Sequence, residues 1–236
     1  MTQGPSKTGR RYSGLDADQR TRQRRDAILA AALELFGTNG YAATSVKQIC
    51  REAALTERYF YESFTDRHAC LVALYSDLAQ EMSTATTTAI ADATAGVGAA
   101  PVDEITSRAL GAFVEFLTAD PRRARVVLIQ VVGVSPDLEQ LRHEVLREFA
   151  ELTTAVWLAP TSRDTPTDAQ RLTAVGLVGA VNHLLVNWLM TGQRDYPAVL
   201  AEVCSSLFSA VSISSRDCTR SPPTGSDRDS QPRRYS

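Results

Sequence analysis

Between Thr56 and Phe64 the sequence reads TERYFYESF, with four aromatic rings, one arginine and two glutamates in a chain whose aromatic content is 7%. Arginine and tyrosine are groups that read nucleic acid. The guanidinium fork meets guanine O6 and N7, and a phenol hydroxyl reaches a phosphate oxygen or a base edge. A core segment would not carry Glu57, Arg58 and Glu62, and an ordinary solvated helix would not carry Tyr59, Phe60, Tyr61 and Phe64. Wound at about 3.6 residues per turn, the stretch resolves into two sides. Phe60 and Phe64 form an apolar edge, Arg58, Tyr59, Glu62 and Ser63 fall opposite, and Tyr61 lies at the margin. A short helix seated on two phenylalanines and offering arginine and tyrosine outward suits a DNA major groove.

Such a helix needs a platform, and the preceding sequence supplies one. Residues 21–38 carry Ile28, Leu29, Ala32, Leu33, Leu35 and Phe36 at helical spacing, and Gly40 is placed to stop that helix in a left-handed conformation. A second helix starts after Thr44 or Ser45, either of which can cap it, and presents Val46, Ile49, Cys50 and Ala53 inward. Thr56 stands where it can cap the third helix. Helices two and three, joined by three residues, fit a helix-turn-helix. Asp66 opens a fourth helix that carries Cys70, Leu71, Leu74, Leu78 and Met82 inward. Further helical patterns cover about 102–118, 121–133, 136–158, 166–191 and 197–213, and no run alternates with the period of a strand. The expected fold is all-α, with about nine helices. Residues 1–19 and the tail from 214 are polar and turn-rich and are expected to be disordered. The division that follows is a head over 20–66, with the motif at 45–64, and a helical body over 67–213.

Charge agrees with that division. Residues 1–70 hold 11 Lys or Arg against 8 Asp or Glu, and residues 71–236 hold 14 against 19, so a basic head sits on an acidic body. The run RTRQRR at 20–25 places four arginines at a helix start, where cations oppose the dipole, and this favours a phosphate or minor-groove role. The cysteines Cys50, Cys70, Cys204 and Cys218 form no CxxC pair and read as reduced thiols. His143, Glu144 and Glu148 share a helix without the paired histidines of a metal site, so no metal and no cofactor is expected. No G-x-S-x-G, P-loop, dinucleotide fingerprint or H-E-x-x-H occurs, which speaks against an enzyme. Residues 172–192 contain no charge and approach the length of a membrane span. Asn182, His183 and Asn187 fall in their middle, however, so the segment reads as a core or subunit-interface helix. With no apolar leader at the N-terminus, a cytoplasmic location is expected.

The ordered set Ile28-Leu29, Ala31-Ala32, Leu35-Phe36, Gly40-Tyr41, Thr44-Ser45-Val46, Ile49, Tyr61 and Phe64 resembles the DNA-binding domain of the TetR family of bacterial transcription regulators. The resemblance covers residues 24–71. It implies that Glu57, Arg58 and Tyr59 read bases, while Lys47, Thr44 or Ser45, Thr56, Tyr61, Ser63 and Arg67 position the duplex backbone. Arg67 stands where the family usually has lysine. Ala54 stands where it usually has a turn glycine, at a cost of about 1 kcal/mol if the residue needs a positive φ.

The resemblance also implies a homodimer on a palindromic operator, because one recognition helix reads only a few base pairs. The expected function is that of a sequence-specific regulator, a repressor relieved by a small-molecule effector; an architectural DNA binder without sequence preference is the alternative. Gly176, Gly179, Ala180, Leu184 and Trp188 are the candidate dimer contacts. Tyr75, Phe113, Phe116, Gln130, Trp157, Asn182, His183 and Asn187 are the candidate lining of an effector pocket.

Overall fold

The computed structural model describes residues 9–95, 100–161 and 164–217. The disorder expected of residues 1–8 and of the tail beyond 217 falls outside the described residues. Nine α-helices and one π-helical turn are present among the described residues, with no strand. Helix α1 (Gly9–Thr38), α2 (Val46–Glu52) and α3 (Glu57–Ser63) form the head. The long α4 (Arg67–Thr94) leads into α5 (Val102–Thr118) and α6 (Pro121–Arg125), and α6 runs directly into the π turn Val126–Gln130. Helices α7 (Pro136–Leu158), α8 (Asp168–Met190) and α9 (Pro197–Asp217) complete the body.

The caps explain why most of these boundaries sit where the pattern puts them. Ser45 accepts from the Gln48 amide while the Gln48 side chain accepts from the Ser45 amide, a reciprocal capping box. Thr167 and Gln170 repeat it at α8. Asp66 accepts from the Ala69 amide at 2.7 Å, and Ser135 caps α7 ahead of Pro136. Three boundaries differ from expectation, the last being α9, which runs to Asp217, so 214–217 are helical where disorder was expected. Helix α1 begins at Gly9, so residues 9–19 are helical where disorder was expected. Residues 17–23 are exposed, and an exposed stretch of helix leaves no apolar period for the sequence to display. The regular helix expected over 121–133 becomes a short α-helix and a π turn, because composition does not distinguish the two windings. Val126, Val127 and Leu128 are all buried there.

One apolar core runs through head and body. Phe36, Ile49, Phe60 and Cys70 fill it in the head, and Leu117, Val126, Leu138 and Leu185 fill it in the body. The joint between the two is polar and close. Arg122 on α6 pairs with Glu34 on α1 and with Asp120 on its own helix. Gly37 faces the same arginine so closely that a Cβ at 37 would lie 2.5 Å from Arg122 Cβ and 2.9 Å from its Cα. Only a glycine lets these helices approach so closely.

Two outcomes follow for this joint. Gly37→Ala should lower stability by about 1–3 kcal/mol, read as a shifted denaturant midpoint. Hydrogen bonding to Arg122 holds the Asp120 carboxyl below its ordinary value of 3.8, so its contribution is complete above that pH and fades as pH falls through the lower folded value. Asp120→Asn should therefore cost about 1 kcal/mol at neutral pH, and the gap from the parent chain should close below about pH 4.

Candidate nucleic-acid interface and effector cavity

Helix α3 has seven residues, too few to stand alone in water, and is held by its rings. Phe60 is fully buried and Phe64 is 5% exposed, with their centroids 5.7 Å apart. Arg25 on α1 lies 4.6 Å over the Phe64 ring. On the opposite side Glu57, Arg58 and Tyr61 are exposed, and 84% of the Arg58 side chain is open to solvent. Tyr59 is half-covered by Arg24, whose guanidinium carbon sits 4.6 Å from the ring centre. Glu62 accepts from Arg58 Nε at 3.0 Å and lies 3.9 Å from Arg24. It therefore orients the arginine beside it on the open face. Arg24 was grouped with the basic run, yet it packs onto α3, and no spacing in the sequence marks it as a brace.

The backbone-positioning candidates divide. Ser45, Lys47 and Thr56 are exposed, and Ser63 is half-buried. Thr56 occupies the cap position of α3 without a side-chain cap bond. Thr44 does not belong with them. It is 1% exposed and donates its hydroxyl to the Gly40 carbonyl at 2.8 Å, a buried polar group satisfied inside the head. Arg67 is also engaged internally, donating to the Thr44 carbonyl and lying 4.2 Å over the Tyr41 ring. Ala54 has φ +53°, so the turn keeps its left-handed residue without glycine. The Leu55 amide donates to the Cys50 carbonyl at 2.9 Å, closing the helix as a Schellman ending does.

Residues 28–74 match the family model described as bacterial regulatory proteins, tetR family. Residues 28–74 are thus a TetR-family DNA-binding domain. It is similar to the uncharacterised HTH-type transcriptional regulator YdgC of Bacillus subtilis (strain 168), with 24% identity over 187 residues, 78% of this chain and 90% of that protein. Among solved structures, the fatty acid degradation regulator FadR from Bacillus halodurans shares the fold at a TM-score of 0.66, with 19% identity over 78% of this chain and 94% of that one. FadR from Bacillus subtilis, in complex with stearoyl-CoA, does so at 0.65, with 19% identity over 77% of this chain and 96% of that one. With that head, the chain is a helix-turn-helix transcription regulator.

The body holds an apolar cavity, partly open to solvent, lined from α4, α5, α7, α8, α9 and the π turn. Tyr75, Phe113 and Asn182 are among its walls, and Phe113 meets Phe149 edge-on at 5.1 Å. Burial raises the Tyr75 phenol to about 12, so it stays protonated. The other expected lining residues lie elsewhere. Phe116 carries Arg123 over its ring at 4.7 Å, and Trp157 is core. His183 and Asn187 are exposed on α8. Gln130 reaches the head instead, accepting from the Tyr41 amide at 2.8 Å beside Gly40, whose φ is +90°. Helical spacing shows which residues turn inward, but not which of several inward surfaces they meet.

Helix α8 presents an open face. Leu172, Val175 and Met190 are 73%, 56% and 71% exposed, and a Cβ at Gly176 or Gly179 would meet nothing. Ala180 and Leu184 are half-buried. Trp188 is buried, donating its indole N–H to the Asp195 carbonyl at 3.0 Å, so it serves its own chain. Val199, Val203 and Leu207 continue the open face on α9. The α8 helix is long and apolar enough to cross a membrane by length and composition, with one-third of its apolar window buried inside the protein. The thiols of Cys50, Cys70 and Cys204 are buried and unpaired. Desolvation raises Cys70 to about 12 and Cys204 to about 11, which keeps both as unreactive thiols.

Relieving the left-handed alanine gives a test of the turn. Ala54→Gly should stabilise the head by about 0.5–1 kcal/mol, the steric relief exceeding the added chain entropy of glycine. Thermal unfolding of the two proteins side by side measures it.

Proposed function

We propose that the chain is a homodimeric repressor that binds a two-fold symmetric operator and leaves it when a small-molecule effector enters the body. In this reading residues 20–66 are the DNA-binding head, residues 67–213 carry the effector cavity and dimer face, and the protein works in the cytoplasm. The observation that carries it is α3 itself, anchored by buried Phe60 and Phe64 with Glu57, Arg58 and Tyr61 turned outward. Arg58 reads bases, and Lys47, Ser45, Thr56 and Tyr61 touch phosphates. The exposed apolar face of α8 and α9 supports pairing with a second copy, because large solvent-exposed apolar patches mark association surfaces. Two copies then set two α3 helices one duplex turn apart, in successive major grooves. An apolar cavity supports an effector, and the stearoyl-CoA bound to the Bacillus subtilis FadR supports a long acyl chain as its class. Release follows if the effector favours a spacing of the heads that no longer matches those grooves.

Selection of bound sites from random duplex DNA by the purified protein should return a two-fold symmetric sequence. On that sequence Arg58→Ala should lose about 1–3 kcal/mol of affinity and relax preference at one or two base pairs; unchanged affinity and preference would remove Arg58 from the reading. A chain carrying both Val175→Glu and Val203→Glu should sediment as a monomer, since buried unpaired carboxylates are costly. A dimer that survives both would place the interface elsewhere.

A further inference from the structure

The cavity has a direction. Its lining runs along α4 from Tyr75 to Ile90 and along α7 from Arg142 to Val156, roughly 20 Å of helix in each case. The walls are almost wholly apolar, and Arg142 is the one charged residue among those described as lining it. No carboxylate lines it. Tyr75 and Arg142 both line the cavity, and the charges of Arg142, Glu139 and Glu148 all reach the buried phenol, so these groups mark one end. That end is nearest the head: Tyr75 lies only two turns beyond the start of α4, and Val127 and Leu128 of the π turn join the wall.

From this end a hydrogen-bonded run leaves the cavity. Arg142 Nε donates to Glu139 Oε2 at 3.1 Å. The other oxygen, Glu139 Oε1, accepts from the Gly133 amide at 2.6 Å. Gly133, with φ +72°, sits in the turn that follows the π segment. Three residues before it, Gln130 ends that segment and holds the Tyr41 amide of the head. One carboxylate is therefore shared between a cation in the cavity and the turn that carries the head contact.

We infer that the cavity takes a long-chain amphiphile with its anionic end on Arg142, and that this contact loosens the head through Glu139, Gly133 and Gln130 to Tyr41. The inference rests on the effector reading above and adds which end of the ligand is read and which bonds carry the signal. A carboxylate or phosphate on the guanidinium competes with Glu139 for the same donors. Glu139 then loses its charge partner and its fixed position under the Gly133 amide. The turn and the π segment, already pressed by the acyl chain at Val127 and Leu128, are freed to shift Gln130 from Tyr41. Windings of the π type recur at functional sites, and here one joins cavity wall to head.

The test uses the full chain with palmitate, palmitoyl-CoA and hexadecanol, measuring ligand affinity by calorimetry and affinity for the selected operator by fluorescence anisotropy. In the parent chain an anionic probe should weaken operator binding about tenfold or more; response to palmitate identifies the free acid, and response to palmitoyl-CoA alone the thioester. Arg142→Met should weaken binding of that anionic probe by roughly tenfold or more and leave hexadecanol binding unchanged. Glu139→Ala and Gln130→Leu, each checked for a cooperative melt, should still bind the probe while operator affinity ceases to respond to it. Equal probe affinity in the parent and Arg142→Met overturns the anion contact. Undiminished release in both Glu139→Ala and Gln130→Leu overturns the route to the head. A parent chain that binds its operator but responds to no acyl probe overturns the effector reading, and this inference with it. That result is distinct because it appears without any substitution.

Discussion

The burial of two phenylalanine rings is the constraint on which the rest depends. A seven-residue helix has too few internal hydrogen bonds to repay its nucleation. Phe60 and Phe64 supply what the helix lacks by entering the core shared with Ile28, Phe36 and Ile49. Arg25 lies on the Phe64 ring and Arg24 on the Tyr59 ring, so the basic run in the middle of α1 also clamps α3. With one edge fixed, the opposite edge is rigid as well, and a rigid array of Glu57, Arg58 and Tyr61 can be complementary to a particular groove.

The same economy appears at the joint between head and body. No covalent hinge separates them, for α4 passes directly from one to the other and the core is continuous. Polar contacts at the joint are short-range: Arg122, itself held by Asp120, pairs with Glu34, and Gln130 accepts from the Tyr41 amide. Apolar contact would resist sliding with little dependence on angle, whereas hydrogen bonds are directional and are lost over small displacements. A joint of this kind suits a protein whose head must hold one orientation in one state and yield in another.

Several features were legible before any coordinates. The all-α architecture, the helix-turn-helix, the caps at Ser45 and Asp66, and the split of α3 into a buried and an open edge all follow from period and local chemistry. Position 54 was left open by the sequence, since alanine there either takes a left-handed φ at a cost or forms the turn differently, and the φ of +53° decides it. What the sequence obscured lies in its body. Gln130, His183, Asn187, Trp157 and Phe116 share the semi-polar or aromatic character of pocket residues, yet they face a joint, an open surface or the core.

The sequence by itself determined which residues lie on one face of each helix, since 3.6-residue winding is a property of the backbone and needs no partner. It determined where most helices start, because a cap is a bond between neighbours. Tertiary structure decided what each face meets. Whether an inward side chain borders a cavity, as Phe113 does, or reaches the head, as Gln130 does, depends on how helices distant in the chain cross. No local pattern encodes that distance. The sharing of Glu139 between Arg142 and Gly133 has the same origin, because folding alone sets a cation of the cavity wall beside the turn that holds the head.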